Sequence, residues 1–213
     1  MSVSDIAAAK ATLRRDLLAR RAQQTDADRA RVAAALLAAF AAEFGSHVRA
    51  GAFEPTGASA DVYRPPGEVN VRAGADLRVV ALYLSFATEP GTGPLIDWLA
   101  HQQVRVLAPT LLPDSDLGWM HLPDGSPLGL DAITNADVIL VPALAVDLRG
   151  HRLGRGGGSY DRALSRVRPG QTVLAVVHDD EVLDAVPTEA HDRIVDGALT
   201  PSGVRYCGTA ADG

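Results

Sequence analysis

Four short apolar runs limit what this chain can become. They lie at residues 77–84 (LRVVALYL), 104–108 (VRVLA), 137–141 (DVILV) and 172–177 (TVLAVV). None alternates between apolar and polar, and each is too short for a buried helix. They therefore read as strands covered on both faces, the mark of a parallel sheet. Between the first two runs, Thr92 sits where a helix N-cap belongs. Leu95, Ile96, Trp98 and Leu99 then supply an apolar face as far as about residue 102. Strand, helix, strand requires a right-handed crossover between parallel strands. A short helix is predicted near residues 130–135, a weaker strand at 195–199, and a turn at 200–203. The result is an α/β fold, a three-layer domain around a mostly parallel sheet.

A helical hairpin is expected ahead of that sheet. Residues 4–43 repeat Ile6, Leu13, Leu17 and Leu18, then Val32, Leu36, Leu37 and Phe40, at helical spacing. Ser4 and Asp5 are candidate caps of the first helix. Thr25 followed by Asp28 forms a capping signature, with the break near Gln24. Residues 45–76 lose all periodicity among Gly51, Pro55, Gly57, Pro65, Pro66, Gly67 and Gly74. They read as a flexible insertion in one domain spanning 1–213, with short extended pieces compatible near 49–53. Residues 111–131 resolve into no element. Trp119 there is either a core side chain or an aromatic wall for a ring ligand.

Charge narrows the partners. A net charge of −6 opposes general affinity for nucleic acid or an anionic membrane. The single Cys207 rules out a disulfide framework within the chain and a multi-cysteine metal site. No secretory signal or membrane-length apolar run is present, so a cytoplasmic protein acting on small molecules is expected.

Residues 146–164 (VDLRGHRLGRGGGSYDRAL) stand out against that acidic background. Gly150, Gly154, Gly156, Gly157 and Gly158 are interleaved with Arg149, Arg152, Arg155 and Arg162. Glycines let a backbone come close to a ligand, and arginines supply fixed forked donors. A strand, this loop and a helix from about 159 to 167 suit a phosphate. Two standard phosphate motifs fail. The stretch has no lysine and no Walker spacing. From Gly154, the third glycine of a dinucleotide fingerprint falls at Ser159. Amides of 156–159 would instead form an anion nest, with Arg152 and Arg155 pairing to phosphate oxygens. Asp161 is either a Mg²⁺ ligand beside that phosphate or a first-turn carboxylate stabilising the helix dipole. Asp192, in Pro187-Thr-Glu-Ala-His-Asp192, is either a second Mg²⁺ carboxylate or a turn residue. Lys10 and Arg14 share a helix face, which alone reads as a solvated basic edge. Loops holding Glu89, Pro109 and residues 154–158 follow strands, so they should converge beyond one end of the sheet.

Taken in order, these pieces resemble the 5-formyltetrahydrofolate cyclo-ligase family, the methenyltetrahydrofolate synthetases. The resemblance rests on Lys10-x-x-x-Arg14, on the stretch from Tyr83 through Glu89 to Thr92, and on Val141 to Asp147. It continues with Arg152-Leu-Gly-Arg-Gly-Gly-Gly-Ser-Tyr-Asp161-Arg and with Pro187-x-Glu-x-His-Asp192. It covers roughly the first forty residues and most of the chain after Leu77. It implies ATP held by Lys10, Arg14, Arg152, Leu153, Gly154, Arg155, Gly156, Gly157, Gly158, Ser159 and Tyr160, with Mg²⁺ on Asp161 and Asp192. It implies a folate site lined by Leu84, Glu89, Arg155, Gly156, Gly157, Gly158 and Ser159, Glu89 accepting hydrogen bonds from the pterin. The implied reaction converts 5-formyltetrahydrofolate and ATP to 5,10-methenyltetrahydrofolate, ADP and phosphate. Arg155 would act catalytically in a monomer. Three departures stand beside this. Ser159 replaces a tyrosine common in the family. The 45–76 segment is longer. The usual Glu-Pro segment before residue 138 is missing, while Glu54-Pro55-Thr-Gly57 occurs upstream. Two other classes would use the same loop: a non-catalytic folate- or nucleotide-binding protein, and a phosphosugar or acyl-CoA enzyme on a related scaffold.

Overall fold

A computed structural model describes residues 3–48, 76–190 and 192–208. The chain opens with α1 (Val3–Ala22) and α2 (Asp26–Phe44). A capping box separates them. Thr25 Oγ1 accepts the Asp28 amide at 3.1 Å, and the Asp28 carboxylate accepts the Thr25 amide at 3.1 Å. The Thr25 hydroxyl also donates to the Asp28 carboxylate at 2.7 Å, and this bond and the one from the Thr25 amide hold the Asp28 carboxyl below its usual range. The break is where the sequence places it. Ser4, however, lies inside α1 and not at its cap.

Then follow β1 (Val79–Leu82), α3 (Gly93–His101), β2 (Arg105–Leu111), β3 (Leu117–Leu122), β4 (Pro127–Gly129) and β5 (Val138–Pro142). The chain continues with β6 (Ala145–Asp147), β7 (Arg152–Leu153), α4 (Ser159–Leu164), β8 (Thr172–Val176), β9 (Val182–Leu183), β10 (Gly197–Thr200) and β11 (Gly203–Tyr206). The main sheet runs β11-β10-β8-β5-β1-β2-β3-β4. Its middle, from β10 to β2, is parallel, and both flanks are antiparallel. All four predicted strands are there, buried on both faces as their composition requires. Val80, Leu82, Leu140 and Val176 meet Leu36, Phe40, Leu95 and Leu99 of α2 and α3. Val79, Ala81, Ile139 and Ala175 meet Ile133, Ala163 and Leu164. That gives the three layers.

The two N-terminal helices precede the sheet as expected, and they pack against different parts of the molecule. α2 covers the main sheet, while Leu17 of α1 packs with Leu144, Ala145, Leu153 and Val186 around a second small sheet, β7-β6-β9. Several expectations are corrected. Thr92 occupies the cap position of α3, but its hydroxyl donates to Tyr83 O at 2.9 Å and caps nothing. Pro109 lies within β2, not in a loop. α4 ends at Leu164, short of 167. The unassigned stretch 111–131 contains β3, which pairs back on β2, and β4; Trp119 of β3 is a core side chain. Gly45–His47 forms a 3-10 turn, and Val48 bridges to Leu77. The rest of the expected insertion, residues 49–75 with Glu54-Pro55, lies outside the described residues.

One buried ion pair ties α1 to the sheet. Arg21 Nε and Nη2 meet the Glu181 carboxylate at 2.7 and 2.6 Å, and Nη2 also donates to Ala143 O at 2.7 Å. Arg21→Met should lower unfolding free energy in urea by about 3–5 kcal/mol, because it strands a buried carboxylate. Adding Glu181→Leu should recover most of that loss. A single substitution that changes stability by less than about 1 kcal/mol would show that α1 is held by other means.

Candidate active site

Among the parallel strands, β2 lies on one side of β1 and β5 on the other, so the winding of the sheet reverses between β1 and β5. Open α/β sheets leave a crevice there, outside the carboxyl ends of the strands. A cleft of about 490 Å³ occupies that position, lined from α1, the segment after β5 and the glycine loop.

The loop leaving β1 carries Glu89. Tyr83 OH donates to Pro90 O at 2.7 Å, and Glu89 Oε2 accepts the Phe86 amide at 3.0 Å, which fixes the turn. Glu89 Oε1 then meets Arg155 Nε from the glycine loop at 3.1 Å. Of the three loops predicted to converge, those holding Glu89 and residues 154–158 meet through this pair.

Beyond β5 the chain turns on Asp147, a fully buried carboxylate. Its Oδ1 accepts the amides of Arg149 (3.0 Å) and His151 (3.1 Å), and Oδ2 that of Val186 (3.1 Å). Burial would raise its pKa, but these bonds hold it below the usual range. The turn needs Gly150, whose φ is +88° and where a Cβ would lie 2.4 Å from Val195 O. It returns the chain into β7, which delivers Arg152. Arg152 Nη2 pairs with Asp161 Oδ1 at 2.8 Å, and Nη1 donates to Arg193 O. The Arg193 amide donates to the same Asp161 oxygen at 3.0 Å.

Lys10 and Arg14 correct the solvated-edge reading. Lys10 is only 6% exposed. Its Nζ meets Asp192 Oδ2 at 2.6 Å and Glu189 Oε2 at 2.8 Å. Burial pulls its pKa down, yet Asp192 and Glu189 outweigh that and leave it raised. Asp192 is burdened by burial in turn, and Lys10 holds it below the usual range. Arg14 Nε donates to Gly154 O at 2.9 Å. All of residues 152–161, with Lys10, Arg14, Glu89 and Asp192, border the cleft. Leu84 does not; it is largely exposed after β1. α4 has only six residues, so its dipole is small. Any anion would rely on loop amides and arginines. Neither metal candidate is a free carboxylate: Asp161 is paired with Arg152 and Asp192 with Lys10. Among the described residues, no group of three or more His, Cys, Asp or Glu is placed to hold a metal.

The sequence reading omitted Arg21, Leu111, Leu117 and Glu189 from the cleft wall. Arg21 was recoverable, since positions 10, 14, 17 and 21 share one helix face. Leu111 and Leu117 were not, because the hairpin presenting them carries no clear pattern.

The comparisons with known proteins agree with this architecture. The sequence profile described as the 5-formyltetrahydrofolate cyclo-ligase family matches residues 69–201. The chain belongs to that family. A 5-formyltetrahydrofolate cyclo-ligase of Mycolicibacterium smegmatis is 41% identical over 143 residues, covering 58% of this chain and 74% of that one. The enzyme of the same name from Escherichia coli K12 is 32% identical over 143 residues, covering 59% and 79%. The fold is that of a 5,10-methenyltetrahydrofolate synthetase from Mycoplasma pneumoniae, with TM-score 0.67, 16% identity, and coverage of 89% of this chain and 97% of that chain.

The cyclo-ligase cleft gives a pH signature. Asp192 titrates below its ordinary 3.8 and Lys10 above its ordinary 10.5. The stability lost in Lys10→Met should therefore be constant between about pH 5 and pH 9. The difference between wild type and variant should shrink below about pH 4, as Asp192 takes up its proton, and again at high alkaline pH, as Lys10 loses its own. Melting curves across pH test this; a difference that grows on acidification would contradict the pairing.

Proposed function

We propose that this chain catalyses the ATP-dependent cyclisation of 5-formyltetrahydrofolate to 5,10-methenyltetrahydrofolate, releasing ADP and phosphate, and does so in the cytoplasm. One observation carries the reading. Glu89, suited to accept hydrogen bonds from a pterin, shares a cleft and an ion pair with Arg155 of a loop suited to phosphate.

The chemistry asks for positioning and charge neutralisation. A formyl oxygen is a poor leaving group. Its attack on the γ-phosphorus, with ADP departing, turns it into a phosphate ester. N10 then attacks the formyl carbon, the C–O bond breaks, inorganic phosphate leaves, and N10 gives up its proton. No protein nucleophile is required. Arg155, Arg152, Lys10 and the loop amides would neutralise charge along the phosphoryl path. Leu111 and Leu117 offer an apolar wall that Ser159 does not.

We propose magnesium as the ion that accompanies ATP, held by Asp161 and Asp192 once their present partners Arg152 and Lys10 turn to phosphate. That ion takes one or two carboxylates with phosphate oxygens and waters. Asp161 and Asp192 both face the cleft, and Asp161 Oδ2 accepts no hydrogen bond among the described residues. Bound there, magnesium would neutralise phosphate charge. For that, Arg152 and Lys10 would exchange their carboxylates for phosphate oxygens.

Purified protein given 5-formyltetrahydrofolate and Mg-ATP should produce the near-ultraviolet absorbance of the methenyl product. Tight folate binding without turnover would make it a binding protein instead. Arg155→Ala should reduce turnover by about a hundredfold or more; a near-normal rate would remove Arg155 from the phosphoryl path. Asp161→Asn should shift the magnesium titration to higher concentration, and an unchanged titration would leave Asp161 with a structural role, as the partner of Arg152 and the Arg193 amide.

A further inference from the structure

We infer that Arg162 is a positioning residue: it fixes the orientation of the peptide between Gly157 and Gly158, so that the Gly158 N–H faces the cleft where phosphate would lie. The inference rests on the ATP reading above.

Arg162 is exposed and is not part of the cleft wall, whereas Gly157 and Gly158 are. Its Nη2 donates to Gly157 O at 3.2 Å and to Ser115 O at 2.5 Å. Its own amide donates to Gly158 O at 3.2 Å. One residue therefore holds two successive carbonyls of the glycine loop. A trans peptide is planar, with its C=O and N–H pointing in opposite directions. Drawing the Gly157 carbonyl toward Arg162, outside the cleft wall, turns the Gly158 N–H toward the cleft.

That control matters because the backbone alone does not impose it. Gly157 and Gly158 lack Cβ atoms, and Gly158 sits at φ +67°, where glycine accepts either orientation of the preceding peptide at little cost. A flipped peptide would present a carbonyl oxygen to phosphate and exchange attraction for repulsion. Arg162 also ties the loop to the turn of the β2–β3 hairpin through Ser115. The hairpin has its own clamp, however: Arg166 meets the two Asp116 oxygens at 3.1 and 2.5 Å. Arg162 lies in α4 and Arg166 just beyond its end, and the two do separable jobs.

Calorimetric titration with the magnesium complex of a non-hydrolysable ATP analogue, alongside steady-state kinetics, separates them. Arg162→Met should weaken analogue binding by about tenfold and raise the KM for ATP in step, as loss of one hydrogen bond to a charged group would. The KM for folate should move much less. Arg162→Lys should restore most of the affinity, since an ammonium can still donate to Gly157 O. Arg166→Met should lower the melting temperature yet leave analogue affinity within about twofold of wild type. Wild-type affinity in Arg162→Met would overturn the inference. So would an equal loss in Arg166→Met, or no recovery with lysine. If the wild-type protein itself fails to bind the analogue, the proposed function falls and takes this inference with it.

Discussion

The cleft depends on how α1 is seated. Most helices dock by an apolar stripe, but the inward face of α1 carries Lys10, Arg14 and Arg21, with Leu17 among them as its fully buried apolar side chain. Hydrophobic burial alone would hold such a helix weakly. The bidentate Arg21–Glu181 pair and the Arg21 bond to Ala143 O fix its far end to the segments following β8 and β5. Arg14 then reaches Gly154 O two turns earlier, and Lys10 reaches Asp192 one turn before that. Register along the helix decides all three contacts at once, so the ion pair that sets the register also sets the site.

The glycine loop is held in a comparable way, by groups outside itself. Asp147 shapes the turn that feeds it, Arg14 takes the carbonyl at Gly154, and Arg155 spans to Glu89. A run of glycines has little conformational preference of its own and loses much entropy when ordered. The polar contacts restrict it before any ligand arrives, which is the condition for effective electrostatic stabilisation during phosphoryl transfer.

What could be read from the sequence follows from this physics. Apolar runs without alternation have one stable use, so the strands β1, β2, β5 and β8 were legible. Thr25 with Asp28 is a local device and was legible for the same reason. Chain order at the switch point was enough to bring Glu89 to the glycine loop. The small sheet was not legible, because β7 and β9 have two residues each and take their stability from Leu17 of a distant helix. Nor was the burial of Lys10. A lysine is ordinarily solvated, and nothing near it in sequence announces Glu189 and Asp192, nearly the whole chain away.

The cleft is lined by matched charges. Lys10 lies on Asp192 and Glu189, Arg152 on Asp161, and Arg155 on Glu89. Unpaired, the buried Lys10 and Arg152 would be costly to hold away from water. On the proposed reading, magnesium and ATP bring both signs of charge together: phosphate oxygens for the arginines and lysine, a cation for Asp161 and Asp192. Lys10, Arg152, Asp161 and Asp192 can then change partner without being left alone. The Glu89–Arg155 pair differs, because neither phosphate nor metal supplies what Glu89 needs on losing its arginine. A pterin N–H donor does. On the proposed reading, Arg155 would turn to the phosphoryl group at least energetic cost when the folate is already in place. On that reading, the molecule that receives the phosphoryl group would also release the residue that neutralises its transfer.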